Sequence, residues 1–212
     1  MKKNPIGTSD VPTQVKNPEL VEQRRQQIVE AAVPLFIENG FHKTTTRQIA
    51  RAAKVSVGSM YEYVASKEDI LYLACLSIHD QVEQGVTQAI SRTDNSRDIL
   101  KEVIREFFMV CHRMSDQILL MYQVTKSLPQ QWQKKVLTND IRISDLLLDA
   151  LKKVMAAGDL PQLDEATGNL IAQNITVLGH MWTFRRWHLA SMYSIEQYIQ
   201  LQTDFIMGLL VK

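Results

Sequence analysis

Apolar residues spaced for one helix face recur along almost the whole chain. From Pro18 onward they return every three or four residues, which places them on one side of an α-helix. No run of strict alternation is long enough to indicate a strand. The 212 residues include only 8 glycines and 6 prolines, which favours helices over a turn-rich β architecture. We therefore predict an all-α fold of about nine helices, without a solenoid repeat.

Breaks in this pattern divide the chain into helices. Turn-forming residues stand at residues 39–40, 91–98, 128–129 and 158–161. The predicted helices cover residues 18–39, 46–53, 57–64, 96–114, 116–127, 129–157, 164–190 and 194–210, and one more begins after residue 66. Ser66 is a good N-cap for that last helix, because Glu68 and Asp69 follow it at the positive end of the helix dipole.

The net charge of +1 conceals an uneven distribution. Residues 1–67 carry 10 Lys/Arg and 6 Asp/Glu, whereas the remainder carries 14 and 17. A basic head on a mildly acidic body is typical of a nucleic-acid-binding module joined to a sensing or assembly module.

Other features indicate the cellular setting. The two cysteines, Cys75 and Cys111, have apolar neighbours and no paired spacing, so we expect buried free thiols in a reducing cytoplasm. No stretch approaches the roughly 18 consecutive apolar residues of a membrane span, and the polar N-terminus does not resemble a signal peptide. Residues 1–17 are polar and contain Pro, Gly and Asn, which predicts a mobile arm.

The stretch TTTRQIARAAKVSVGSMYEYV, residues 44–64, predicts a helix-turn-helix. Ala50 and Ala53 are small enough for the next helix to cross closely. The buried contacts would come from Ile49, Val55, Met60 and Val64. Ser56 would cap the third helix and leave its first turn, residues 57–59, free to face a major groove.

Polar groups around this turn suit contacts with DNA. The candidates for phosphate contact are Thr44, Thr46, Tyr61, Tyr63 and Lys67. The candidates for base contact are Arg47, Val57 and Ser59, with Ser56 and the side-chain-free Gly58 beside them. A small three-helix packing unit with a basic face is the alternative interpretation.

Residues 24–71, RRQQIVEAAVPLFIENGFHKTTTRQIARAAKVSVGSMYEYVASKEDIL, resemble the DNA-binding domain of the tetracycline-repressor (TetR) family. The residues that match the family's motifs are Phe36, Gly40, Thr45, Thr46, Ile49, Ala50, Ala53, Val55, Ser56, Gly58, Tyr61, Lys67 and Ile70 or Leu71. The resemblance implies that Thr46 and Lys67 contact phosphates, that Tyr61 contacts the DNA backbone, and that Arg47 and residues 57–59 approach bases.

Two positions depart from the family's pattern. Val64 stands where an aromatic residue is frequent, and Lys54 replaces the usual glycine of the turn. The chain leaves the second helix at Lys54, where a left-handed backbone costs a lysine about 1 kcal/mol. Our hypothesis is that the Lys54 ammonium lies near a DNA phosphate and partly offsets that cost.

The resemblance also implies a division into a DNA-binding domain, residues 18–66, and a ligand-binding and dimerisation domain, residues 67–212. The eighth and ninth helices would form a four-helix bundle in a homodimer. Their apolar stripes contain Leu170, Ile171, Ile175, Leu178, Met181 and Trp182, and Ile195, Tyr198, Ile199, Leu201, Phe205, Ile206 and Leu209. The same stripes would serve an intramolecular core.

The family's ligand cavity lies between the fourth and eighth helices. Candidates for its lining are Phe107, Phe108, Met109, Met114, Met121, Tyr122, Trp132, Leu147 and Trp182, because methionines and aromatic side chains suit irregular apolar ligands. Each of them is equally compatible with ordinary core packing. Residues 180–205 are similar to members that respond to acyl-coenzyme A thioesters, and Arg185 and Arg186 would then pair with phosphates or a carboxylate. Surface salt bridges are the alternative for both arginines.

No catalytic or metal-binding motif stands out in the sequence. The histidines lack zinc-site spacing, and neither a nucleophile elbow nor a phosphate-binding glycine loop is present. We therefore predict a regulator without cofactor or metal, most simply a repressor released from a palindromic operator by a small apolar effector. A helical protein-binding adaptor and an enzyme with a hidden pocket remain the alternatives.

Overall fold

The computed structural model describes residues 10–92 and 96–210, with the side chains of residues 96 and 97 left out. These residues form nine α-helices and contain no strand, so the predicted fold class is confirmed. The helices are α1 (Pro18–Asn39), α2 (Thr46–Ala52), α3 (Val57–Tyr61), α4 (Lys67–Arg92), α5 (Ser96–Arg113), α6 (Ser115–Val124), α7 (Gln130–Ala156), α8 (Glu165–Leu189) and α9 (Ile195–Leu210). A 3₁₀ helix, Thr125–Ser127, follows α6.

Local caps explain most helix boundaries. The side chain of Asn17 accepts hydrogen bonds from the first-turn amides of α1, which ends before Gly40 at a positive φ of 78°. Ser66 caps α4 as predicted, since its hydroxyl accepts the Asp69 amide at 3.0 Å. The Asp69 carboxylate in turn accepts the Ser66 amide at 3.0 Å.

Helix α3 ends at Tyr61, earlier than the predicted residue 64. The carbonyl of Glu62 accepts a hydrogen bond from the Gln14 amide at 2.9 Å. The carbonyl of Tyr63 accepts one from the Arg25 side chain at 2.9 Å. These bonds satisfy carbonyls that a helix end leaves without intrahelical partners. The amides of Glu62 and Tyr63 donate only three residues back, to Ser59 and Met60, so α3 ends in a tight turn.

The chain divides into two compact units. The first comprises the described part of Met1–Asp80 together with Leu120–Leu137. The second comprises Gln81–Leu119 and Thr138–Lys212, again over the described residues. Helices α4, α6 and α7 therefore contribute residues to both units. The functional boundary at residue 66 stays a prediction.

In the first unit α1 packs against α2, and α2 packs against α3. The buried apolar residues of this unit include Val21, Ile28, Val29, Ala32, Phe36, Ile49, Ala50, Met60, Ile70 and Leu71. Val11 is also buried, and residues 11–14 bind the head by hydrogen bonds. The structure thus differs from the predicted mobile arm over residues 10–17, whereas residues 1–9 of that arm lie outside the described residues.

The second unit is centred on α5, α8 and α9. Gly179 lies against α5 so closely that an added Cβ would stand 2.6 Å from a ring carbon of Phe107. The Trp182 indole donates to Nδ1 of His112 at 3.0 Å, and the Tyr198 hydroxyl donates to the carbonyl of Leu178 at 2.6 Å. These bonds satisfy polar atoms that the packing would otherwise bury without partners.

Both cysteines are buried free thiols, as predicted. Burial raises the pKa of the Cys75 thiol to about 12 and also raises that of Cys111. No helix among the described residues is both long and apolar enough to span a membrane.

Candidate nucleic-acid interface

Helix α2 begins at a reciprocal cap. The Thr45 hydroxyl accepts the Gln48 amide at 3.3 Å, and the Gln48 side chain accepts the Thr45 amide at 2.8 Å. This cap fixes the first turn, which carries Thr46 and Arg47. Arg47 is exposed, and it has no carboxylate partner within the part of the chain that the structure describes.

The turn after α2 has the left-handed residue that the sequence predicts. Lys54 has a φ of 56° and is the sole non-glycine with positive φ among the described residues. Its amide donates to the Arg51 carbonyl at 3.1 Å, and the Val55 amide donates to the Ala50 carbonyl at 3.0 Å. These two bonds form a Schellman motif, in which glycine is the usual residue. The Lys54 side chain is exposed.

Helix α3 presents its first turn to solvent. The Ser56 hydroxyl accepts the Ser59 amide at 2.9 Å, as expected for an N-cap. An added Cβ at Gly58 would meet only the Ser56 hydroxyl oxygen, at 3.9 Å. Packing within the chain therefore does not require a glycine at residue 58, and the space beside it is open to an external molecule. Val57 and Ser59 are half-buried.

The structure brings two of the predicted contact residues together. The Tyr61 hydroxyl of α3 donates to the Thr46 hydroxyl of α2 at 3.4 Å. Tyr61 remains 40% exposed. This bond holds two hydroxyl groups from successive helices at one place on the surface, where both are available to a phosphate.

Three other predicted phosphate contacts are buried or engaged within the chain. The Thr44 side chain is buried, and its hydroxyl donates to the carbonyls of Leu35 and Gly40. Tyr63 is buried as well. The Lys67 ammonium uses three donors on the carbonyls of residues 41, 42 and 44, at 2.9, 3.4 and 3.0 Å.

Lys67 therefore positions the loop before α2. Its Nζ also lies 4.3 Å from the centre of the Phe41 ring. Because an ammonium has three N–H groups, these carbonyls leave none directed at a phosphate. The sequence gives no signal for this role, since the bonded carbonyls lie 23 to 26 residues away.

The predicted ligand contacts are distributed over both units. In the first unit, Met121 is buried, Tyr122 is 46% exposed, and the Trp132 ring stacks on Tyr72 with centroids 4.1 Å apart. In the second unit, Phe108 and Trp182 are buried and Met109 is half-buried. These assignments stay predictions.

The two predicted arginines differ in their surroundings. Arg186 donates to the Asp116 carboxylate at 2.8 Å, which matches the salt-bridge alternative. Arg185 is exposed, with its guanidinium 5.9 Å from the centre of the Trp187 ring.

A separate groove of about 480 Å³ lies in the second unit. Its lining residues are Thr87, Ile90, Leu146, Asp149, Lys152, Lys153 and Ala156, none of which we predicted as a ligand contact.

Helices α8 and α9 carry an exposed apolar surface, here called the α8–α9 face. It consists of Leu170, Val177, Phe184, Leu201, Phe205 and Leu209, which are 42–62% exposed. The predicted stripes divide accordingly, since Ile175, Trp182, Ile195, Tyr198, Ile199 and Ile206 are buried within the chain. Val177 and Phe184 were not among the predicted stripe residues, although they follow Leu170 at seven-residue intervals. Such a surface is typical of a protein–protein contact.

Buried His180 lies beside this face. Its ring centre is 5.9 Å from that of Phe107 and 6.3 Å from that of Phe184. Burial lowers the pKa of His180 to about 4, so the imidazole is uncharged at neutral pH. No cluster of three or more potential metal ligands occurs among the residues that the structure describes.

Comparison with known proteins gives a family match near the N-terminus and a relative that spans most of the chain. The family described as bacterial regulatory proteins, tetR family, matches residues 28–72. The HTH-type transcriptional regulator HbdR of Aromatoleum sp. (strain CIB) is 30% identical over 194 residues, which cover 92% of this chain and 83% of HbdR.

Two solved structures share the fold over most of the chain. A bacterial regulatory protein in the tetR family from Rhodococcus RHA1 has a TM-score of 0.71 at 22% identity, over 86% of this chain and 96% of that one. AibR, solved in complex with isovaleryl coenzyme A and operator DNA, has a TM-score of 0.68 at 17% identity, over 86% and 97%. At these identities the likeness concerns the fold.

Proposed function

Because the chain belongs to the TetR family of bacterial transcriptional regulators, we propose that it is a dimeric repressor that a small apolar effector releases from DNA. The single observation that carries DNA binding is the capped, solvent-facing first turn of α3, where Gly58 has open space beside it. On this proposal the protein acts in the cytoplasm as a regulator and not as an enzyme.

The DNA contacts divide into two groups. Arg47, Val57 and Ser59 read base edges in the major groove. Thr46, Tyr61 and Lys54 contact phosphates, which position the head without reading sequence. Thr44 and Lys67 are not among the proposed contacts, because their side-chain donors are bonded within the chain. Tyr63 is largely buried and stays a candidate phosphate contact through its hydroxyl.

The dimer forms through the α8–α9 face. Two copies of this face would bury the exposed side chains of both helices in a four-helix bundle. The two α3 helices would then enter successive major grooves, about 34–36 Å apart, which requires a palindromic operator.

The effector acts on the spacing between the two heads. It favours a conformer in which they no longer match successive grooves, so effector and operator weaken each other by the same factor. Acyl-CoA thioesters are the first class to test, because AibR was solved with isovaleryl coenzyme A and because exposed Arg185 could meet a phosphate.

The test starts with selection of bound sequences from random DNA, followed by footprinting. The expected result is one site with two-fold symmetry. Arg47→Ala should relax the preference at one base pair and cost about 1–3 kcal/mol of binding free energy. Arg185→Ala, which removes the same charge from α8, is the matched control and should bind the operator like the parent.

Titration with acyl-CoA esters of increasing chain length tests the effector. Free coenzyme A is the control for the nucleotide part alone. An acyl-CoA that binds the free protein and the operator complex with equal affinity would exclude that ester as an inducer.

A further inference from the structure

Residues 10–14, here called the N-terminal strap, bind the chain at the C-terminal end of α3. The Gln14 amide donates to the carbonyl of Glu62 at 2.9 Å. The Thr13 hydroxyl donates to the same carbonyl at 3.0 Å. Glu62 is the C-cap residue of α3. The end of α3 is therefore held by residues far upstream of the helix-turn-helix.

A buried arginine joins the strap to the residues that follow α3. Arg25 of α1 is only 2% exposed. Its Nε donates to the Tyr63 carbonyl at 2.9 Å, and its Nη2 donates to the carbonyls of Val11 at 2.6 Å and Pro12 at 3.2 Å. Hydrogen bonds to a charged donor are stronger than neutral ones. One guanidinium thus fixes the distance between the strap and the chain that follows α3.

The first residue of the strap is anchored elsewhere. The Asp10 carboxylate lies 2.7 Å from Nζ of Lys135 in α7. It also acts on buried Tyr72 in α4, where burial first and the Asp10 carboxylate second raise the pKa of the hydroxyl to about 12. Tyr72 stacks on Trp132 of α7, and Lys135 Nζ lies 5.2 Å from the centre of the Trp132 ring. Asp10 is thereby bound to a cluster formed by α4 and α7.

We propose that the N-terminal strap couples the first turns of α7 to the exit of α3, with Asp10 and Arg25 as positioning residues. Only three residues lie between the Asp10 anchor and Gln14, whose amide binds the Glu62 carbonyl. Within them Val11 is buried, and Pro12 has a fixed φ. A short, packed segment cannot lengthen, so a shift of Lys135 moves Glu62 or breaks a bond.

The consequence for DNA binding rests on the proposed function. No strap residue is among the proposed DNA contacts, yet a change at Asp10 or Lys135 alters the geometry of α3. If the strap only covers the core, the same substitutions would lower the stability of the whole unit and would not alter α3 in particular. The experiment has to separate these two effects.

Lys135→Gln in the full chain is the first variant, because Lys135 is remote from α3 in sequence and binds the strap through its ion pair with Asp10. Hydrogen exchange is measured at the amides of Gln14, Tyr63 and Val64, of which the last two donate to the Met60 carbonyl. We expect exchange there to be roughly two- to fivefold faster, the range expected for loss of one surface ion pair. Lys152→Gln removes the same charge from exposed α7 surface and should leave these amides unchanged.

Asp10 supplies a graded pair of variants. Asp10→Ala removes both interactions, whereas Asp10→Asn keeps an acceptor for the Tyr72 hydroxyl. The exchange rates at residues 62–64 should rise more for Asp10→Ala than for Asp10→Asn, and the affinity for the selected operator should fall in the same order. Glu38→Ala, a neutralised exposed acid on α1, is the control and should match the parent.

A lower melting temperature of Asp10→Ala, with exchange at residues 62–64 and operator affinity like those of the parent, would overturn the strap proposal. If the parent protein selects no DNA, the proposed function fails. The exchange rates still test the strap proposal in that case, since they are measured without DNA.

Discussion

Lys54 shows how one residue changes both stability and recognition. Its left-handed backbone should cost about 1 kcal/mol relative to glycine. We therefore expect Lys54→Gly to raise the free energy of unfolding by up to ~1 kcal/mol and to weaken operator binding, because a phosphate contact is lost. Thermal denaturation and fluorescence anisotropy measure the two effects. Lys54→Asn, which tolerates the same backbone without the charge, should also lose affinity; a stable variant with full affinity would leave Lys54 a purely structural role.

Lys67 should behave differently from Lys54. Its ammonium binds three carbonyls of the head, so Lys67→Ala should reduce the free energy of unfolding by about 1.5–3 kcal/mol, the range for hydrogen bonds with a charged partner. The salt dependence of operator binding should stay like that of the parent. Lys54→Asn should instead lower the slope of log K against log salt by about one unit. A lowered slope for Lys67→Ala would restore it to the phosphate contacts.

At the scale of the element, His180 makes the packing of α8 sensitive to pH. Burial lowers its pKa from 6.5 to about 4, so the unfolded chain binds a proton that the folded chain does not. The stability that comes from neutral His180 is therefore fully present above pH 6.5. The free energy of unfolding should fall by up to about 1.4 kcal/mol per pH unit as the pH drops towards 4. Urea denaturation across this range measures the loss. His180→Gln cannot bind that proton and should show a shallower decrease; an identical slope would assign the effect to other groups.

The sequence predicted elements better than their contacts. Helix periodicity and caps such as Ser66 are local, so the helix-turn-helix and the bounds of most other helices could be placed within a few residues. The bond that holds the Tyr63 carbonyl after α3 comes from Arg25, 38 residues away, and the role of Lys67 depends on carbonyls of a distant loop. Likewise, periodicity alone could not divide the α9 stripe into buried Ile206 and exposed Phe205. Each of these facts arises from tertiary contacts and not from local pattern.

At the scale of the whole molecule, the α8–α9 face should determine assembly. Phe205 is 58% exposed on this face, and a carboxylate there would be buried without a partner in the dimer. We expect Phe205→Glu to be a folded monomer in sedimentation experiments and to lose most of its operator affinity, because one head cannot hold two half-sites. Leu137→Glu is the matched control, since Leu137 is 55% exposed on α7 and outside the face. A dimeric Phe205→Glu would place the interface elsewhere.

The two buried cysteines have a practical consequence for measuring conformation. A maleimide reacts with thiolates, and both native thiols are inaccessible and have raised pKa values. A fluorophore could therefore be attached at a single engineered surface cysteine, such as Arg185→Cys, without first removing the natural ones. Paired labels on the two subunits would then report the separation of chosen points directly, by energy transfer, in the protein with its native core.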